Sequence, residues 1–271
     1  MRRTLLVLCF ALAACREAPP PAPVATMPEP APAATSAIPT GDVAEGLRVA
    51  TRVGCNGCHG RDAAGQVFME NEEAGRLVAP NLTERRDLYD DAALAALLHE
   101  GKTHDGHVPW GMPIQMFQHL SHREVRDIAA WLRSLVPVPN PDLPESAWSD
   151  ALVAATVDGT HPWLEDLRPS PGNQPPAVPP TEPLALGKHL AMTSCTECHG
   201  WDLNGFEGDT TPSLVVAKAY TPDQFMQLMR TGEVATGGKS ATGLMSAMAE
   251  WRFNAMTDEE ITALKAYLDA R

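Results

Sequence analysis

Apolar residues recur at three- and four-residue intervals along this chain, and the same order of apolar stretches occurs twice. Val125, Ile128, Trp131 and Leu132 fall on one helical face, as do Ile261, Leu264, Tyr267 and Leu268. Each of these runs is preceded by a capping box, Ser121 with Glu124 in the first and Thr257 with Glu260 in the second. Further helices are predicted from about Asp42 to Val53, with Asp42 and Glu45 as a capping box, and from about Asp91 to Glu100, stopped by Gly101. The counterpart of the latter opens Thr221-Pro222-Asp223-Gln224 and stops at Gly232. No long stretch alternates with period two, so both halves read as all-α, and the acidic segment 66–79 reads as an irregular loop.

The repeat extends to the polar residues. Cys55-Asn56-Gly57-Cys58-His59 is followed by Gly60, Asp62 and Gly65; Cys195-Thr196-Glu197-Cys198-His199 is followed by Gly200, Asp202 and Gly205 at one constant offset. Met112, Phe117 and Leu120 are matched by Met248, Phe253 and Met256. A module of roughly ninety residues has therefore been duplicated. Gly46 and Gly187 precede the two motifs, where a second helix can cross closely, and Trp131 and Tyr267 are the residues expected to cross them.

Cys-x-x-Cys-His is the signature of covalent haem attachment. Two thiols one helical turn apart can add to the two vinyl groups of one porphyrin, and the adjacent histidine supplies an axial nitrogen. Two alternatives use the same cysteines. Cys55, Cys58, Cys195 and Cys198 could form one four-thiolate zinc site, or either pair could be a redox dithiol. Zinc leaves His59 and His199 unexplained, and a dithiol does not call for two copies with matched flanks. The sequence predicts two haem c groups, with iron held by His59 and His199.

A sixth iron ligand decides the chemistry, because a haem with one protein ligand reacts with small molecules whereas a haem with two passes electrons. Met112 stands before Pro113 just ahead of the last helix of the first module, and Met248 holds the matching place in the second. Met116 and Met245 compete with them, Met245 being the alternative to Met248. All four could instead simply fill apolar gaps, as methionine commonly does. His104 and His107 lie in the loop before Met112 and could give a bis-histidine site, but the second module has no histidine at the corresponding place.

The start of the chain adds a location. Arg2 and Arg3 precede an apolar run from Thr4 to Ala14, the pattern of a signal peptide over 1–14. Leu12-Ala13-Ala14-Cys15 resembles a bacterial lipobox, which predicts an acylated Cys15 and a stable membrane anchor. Residues 15–41 are rich in Pro and Ala and read as an extended tether. Modules over 42–136 and 182–271 follow, joined by a proline-rich connector, 137–181. Trp148, Leu152, Val153, Trp163 and Leu164 make that connector too apolar for a free linker, so it is expected to lie across both modules. The six cysteines are used up by the signal, the anchor and the two motifs, leaving none for a disulfide. The formal net charge of −13 is spread along the chain and argues against nucleic acid as a partner. It favours redox partners with basic docking patches.

On Cys-Asn-Gly-Cys-His-Gly, Cys-Thr-Glu-Cys-His-Gly, Trp-Gly-Met-Pro and Ile-Ala-Ala-Trp-Leu-Arg-Ser-Leu, the chain resembles a diheme bacterial cytochrome c of the class I family, in lipoprotein form. The resemblance implies two tandem class I cytochrome c-like helical domains, each around one covalent haem. It implies that the carbonyls of Pro80 and Pro212 orient His59 and His199. It also implies haem attachment outside the cytoplasm, hence the periplasmic side of a membrane. The function expected is electron transfer between a periplasmic donor and a respiratory or other acceptor. A diheme peroxidase or thiosulfate dehydrogenase is the alternative: the first needs an open iron face, and the second a cysteine ligand that is not available here. Met-Ala replaces Met-Pro at 248–249, a departure from the pattern in the second module.

Overall fold

Helix α1 (Val43–Val53) begins where the Asp42 carboxylate accepts the amide of Glu45 and ends at Gly54, whose φ of 92° only glycine adopts without strain. Glu45 does not complete the expected capping box; its carboxylate turns to Arg48 instead, at 2.7 Å. The first Cys-x-x-Cys lies on the single turn α2 (Cys55–Cys58). The computed structural model describes residues 40–161, 164–206 and 211–271, which lie in one compact unit ending at Arg271. Cys15, the signal and almost all of the tether fall outside the described residues, as does Trp163.

The segment expected as an irregular loop is a hairpin. Strands β1 (Gln66–Asn71) and β2 (Gly75–Ala79) pair antiparallel around a tight turn in which Asn71 caps the amide of Ala74. Its alternation is short and interrupted by acidic residues, which hides the pattern: of the two strands only Leu77 and Ala79 are buried, with Ala74 in the turn between them. After α3 (Leu82–Arg85), α4 (Asp91–Glu100) and α5 (Ile114–Phe117), α6 (His122–Ser134) closes the module with its capping box formed. The connector then adds strand β3 (Ala147–Trp148) to β2 and forms helix α7 (Asp150–Asp158), capped by Ser149 and ended by Gly159.

The second module repeats the plan: α8 (Pro183–Ser194), the motif turn α9 (Thr196–His199), α10 (Pro222–Thr231), α11 (Leu244–Trp251) and α12 (Asp258–Ala270). In each module the first helix crosses the last, α1 over α6 and α8 over α12. The crossing needs the glycines. A Cβ on Gly46 would overlap the Asp127 carbonyl and meet Cβ of Trp131, and one on Gly187 would overlap the Ala263 carbonyl and meet Cβ of Tyr267. Each crossing encloses its own apolar core. No described helix is long and apolar enough to cross a membrane.

The modules meet through buried polar groups. Glu124, the capping residue of α6, accepts from Arg52 at 2.6 Å and from His189 of α8 at 2.9 Å, and all three side chains are buried. Its counterpart Glu260 accepts from Arg48 of α1 at 2.6 Å. Counting from the crossing glycines, Arg48 and His189 are equivalent positions, as are Arg52 and Thr193. Each module therefore reaches the other's capping glutamate from the same place on its first helix. Arg52 meets its own counterpart Thr193 at 2.7 Å. Equivalent residues in contact are the mark of a two-fold join, here made within one chain.

Candidate cofactor sites

Each motif is built on the same local scaffold. The amide of Gly65 donates to the His59 carbonyl at 2.8 Å, and that of Gly205 to the His199 carbonyl at 2.7 Å. Gly60, Gly65, Gly200 and Gly205 all have φ near 80°, which explains why these glycines recur after the motifs. Asp62 and Asp202 each accept an amide two residues on, from Ala64 and Asn204. The sequence reading missed one feature here: Ala63 and Leu203 also take positive φ, 60° and 64°, at equivalent places. Their carbonyls accept the amides of Leu82 and Leu214, so that Pro80 and Pro212 are brought against the motif.

The histidines are oriented by those prolines. His59 Nδ1 lies 2.9 Å from the Pro80 carbonyl, and His199 Nδ1 lies 2.7 Å from that of Pro212. A carbonyl only accepts, so Nδ1 carries the proton and Nε2 is left with its lone pair. Burial lowers the pKa of both rings against the opposing pull of the carbonyls, which favours the neutral imidazole that iron binds. Burial also pushes the Cys55 and Cys195 thiols up to about 12. Raised in this way, both thiols stay protonated near neutral pH, which disfavours thiolate ligation of a metal. Among the described residues no cluster of His, Cys, Asp and Glu assembles a metal site, so the four cysteines do not converge as a zinc centre.

The surroundings fit a flat apolar macrocycle. Cys55, Leu82, Tyr89, Ala95, Met112 and Leu132 stand half-buried along the edge of the first core. In the second, Leu186, Met192, Tyr220, Met226, Met245 and Met248 do so. Half-buried apolar side chains of this kind gain from a hydrophobic partner.

A family model described as Cytochrome c matches residues 43–136 and, a second time, residues 184–270. The chain belongs to the cytochrome c family. Its two cytochrome c domains carry two covalently bound haem c groups and transfer electrons through them. No curated protein matches the chain.

The candidate methionines of this cytochrome sit differently in its two halves. Met112 lies in the turn that leads into α5, with its amide donating to the Pro109 carbonyl at 3.0 Å. Met116 is fully buried, and its sulfur is 4.0 Å from Nη2 of Arg252. In the second half Met245 and Met248 are three residues apart on one helix, α11. Measured from the last helix Met248 matches Met112, each ten residues ahead of it, but Met112 precedes its short helix whereas Met245 and Met248 both lie within theirs. Met248 also lines a cleft of about 390 Å³ shared with Gly57 and Cys58 of the first motif. His104 is held by the Tyr89 hydroxyl at 3.0 Å, and His107 by Asp105, on an exposed loop.

Proposed function

We propose that this chain is an exported, membrane-tethered diheme electron carrier that takes electrons from a periplasmic donor and passes them to a respiratory or other acceptor. The observation that supports it most is the repeated Cys-x-x-Cys-His turn whose histidine is fixed by a proline carbonyl, His59 to Pro80 and His199 to Pro212. In this reading Cys55 and Cys58 anchor one haem and Cys195 and Cys198 the other. His59 with Met112, and His199 with Met248 or its alternative Met245, would hold the two irons.

Bound there, a haem would supply a one-electron couple, and a thioether ligand beside the imidazole would favour its reduced form. The chain does the rest. The carbonyls keep each Nδ1 protonated and each Nε2 available, and the apolar edges keep water from the motif. Cys15, in a lipobox-like run, is the proposed anchor, and the acidic surface suits partners with basic patches, whose docking would weaken with salt.

The test is a spectroelectrochemical titration of the holoprotein following the near-infrared methionine-to-iron band. Two low-spin histidine/methionine centres are expected. Met112→Ala should remove one band, and comparison of Met248→Ala with Met245→Ala identifies the second ligand. A high-spin centre in the wild-type chain that reacts with peroxide would overturn the carrier reading.

A further inference from the structure

The two-fold join is broken at two positions where only the second module carries a charge. Where the first motif has Gly57 the second has Glu197, and where the first module has Met116 the second has Arg252. These two residues form an ion pair at 2.7 Å, in which the guanidinium is buried and the carboxylate side chain about one-third exposed. Both charges come from the second module, yet the guanidinium rests on the first. Its Nε donates to the Arg52 carbonyl at 3.1 Å, and a Cβ on Gly54, the residue before Cys55, would stand 2.9 Å from its Cζ. Glu197 and Arg252 line the same cleft as Gly57 and Cys58.

The charges are felt across the join. Burial dominates the raised pKa of Cys55, followed by the neighbouring Cys58, with Arg252 pulling it down and Glu197 adding a smaller upward push; for Cys58, burial is followed by Glu197 upward and Arg252 downward. Arg252 also pulls down the Cys195 thiol. The geometry places the pair beside both attachment sites: the guanidinium lies against Gly54, the residue before Cys55, and Glu197 stands between Cys195 and Cys198.

We propose that the Arg252–Glu197 pair sets the reduction potentials of both haems, with Arg252 favouring and Glu197 opposing the ferrous state. The reasoning is electrostatic. Reduction adds one negative charge at each iron, which a fixed cation stabilises and a fixed anion destabilises. This deepens the electron-carrier reading and rests on it; intact mass and the low-spin spectrum test that reading separately, before any potential is measured.

The experiment is potentiometric titration of the full two-haem chain in four variants. Arg252→Met leaves Glu197 unpaired and should lower both potentials. Glu197→Gln leaves Arg252 unpaired and should raise them. In each case the reduced-to-oxidised ratio at fixed potential should change about threefold or more, as expected for a poorly screened unit charge. Arg252→Lys, which keeps the charge, should stay close to wild type, and the neutral double variant Arg252→Met with Glu197→Gln should return towards it. A purely structural role moves both single variants in one direction and is not relieved in the double. Shifts of the same sign, or none in chains that retain two haems, would overturn the proposal. If Arg252→Met does not load both haems, Glu197→Gln decides: an upward shift supports the proposal, and no shift or a downward one rejects it.

Discussion

The two modules hold the segment before their last helices in different ways. In the first, the turn carrying Met112 is braced from outside. Phe68 of the hairpin lies so close to Gly111 that a Cβ there would overlap its ring, and Trp110 packs against Trp148 and His161 of the connector at 6.1 and 5.5 Å between ring centroids. In the second, the brace is internal. Ser246 is fully buried, donates to the Gly232 carbonyl at 2.5 Å and accepts the amide of Ser240 at 2.8 Å. One module borrows aromatic side chains from an insertion and a connector, whereas the other closes its loop with a hydroxyl. The duplicated sequence thus preserved the motif scaffold and rebuilt its support.

The same contrast runs through the join, and it can be broken there most severely. Arg52→Met removes a buried partner of Glu124 and is expected to cost about 3 to 5 kcal/mol in urea unfolding of the holoprotein. Arg48→Met strips a contact across the join from Glu260, the counterpart of Glu124, but Arg48 is one-quarter exposed, so about 1 kcal/mol or less is expected. Equal costs would mean that the two sides of the join are not energetically distinct.

A second prediction sharpens this in acid. Burial by itself would raise the Glu124 carboxyl, but the hydrogen bond from His189 and the charge of Arg52 outweigh it and hold the pKa at about 2. A carboxylate whose pKa is depressed on folding stabilises the fold above its unfolded value of 4.5, and that contribution disappears as the pH falls towards 2. Urea midpoints of the wild type should therefore drop more steeply between pH 4.5 and 2 than those of Glu124→Gln. The smallest effect is expected at the outer brace. Phe68→Ala should loosen the Met112 turn and raise the affinity of the ferric first haem for added imidazole about threefold, a change of under 1 kcal/mol, leaving the second haem unaffected.

Local features were legible in the sequence because local chemistry makes them. Ser121 with Glu124, Thr221 with Gln224 and Thr257 with Glu260 all form capping boxes, and Gly46 and Gly187 admit Trp131 and Tyr267 at the helix crossings. Helix α7 had the same kind of signal, Ser149 as its cap and Gly159 at its end, but it lay hidden among the prolines of the connector. What could not be read were contacts between distant positions. Glu124 reads as a capping residue, and nothing near it announces Arg52 or His189. One signal did exist: at three equivalent positions where the repeats differ in charge, Arg48 against His189, Gly57 against Glu197, Met116 against Arg252, a charged side chain lies at the join.

Because Arg52 meets Thr193 and Met116 meets Arg252, the contact surface of each half is completed by its own twin in the same polypeptide. The local concentration of that twin is fixed by the connector and does not fall on dilution. A pair of separate subunits with these faces would come apart as their number thinned, while this chain keeps both redox centres in register down to a single molecule.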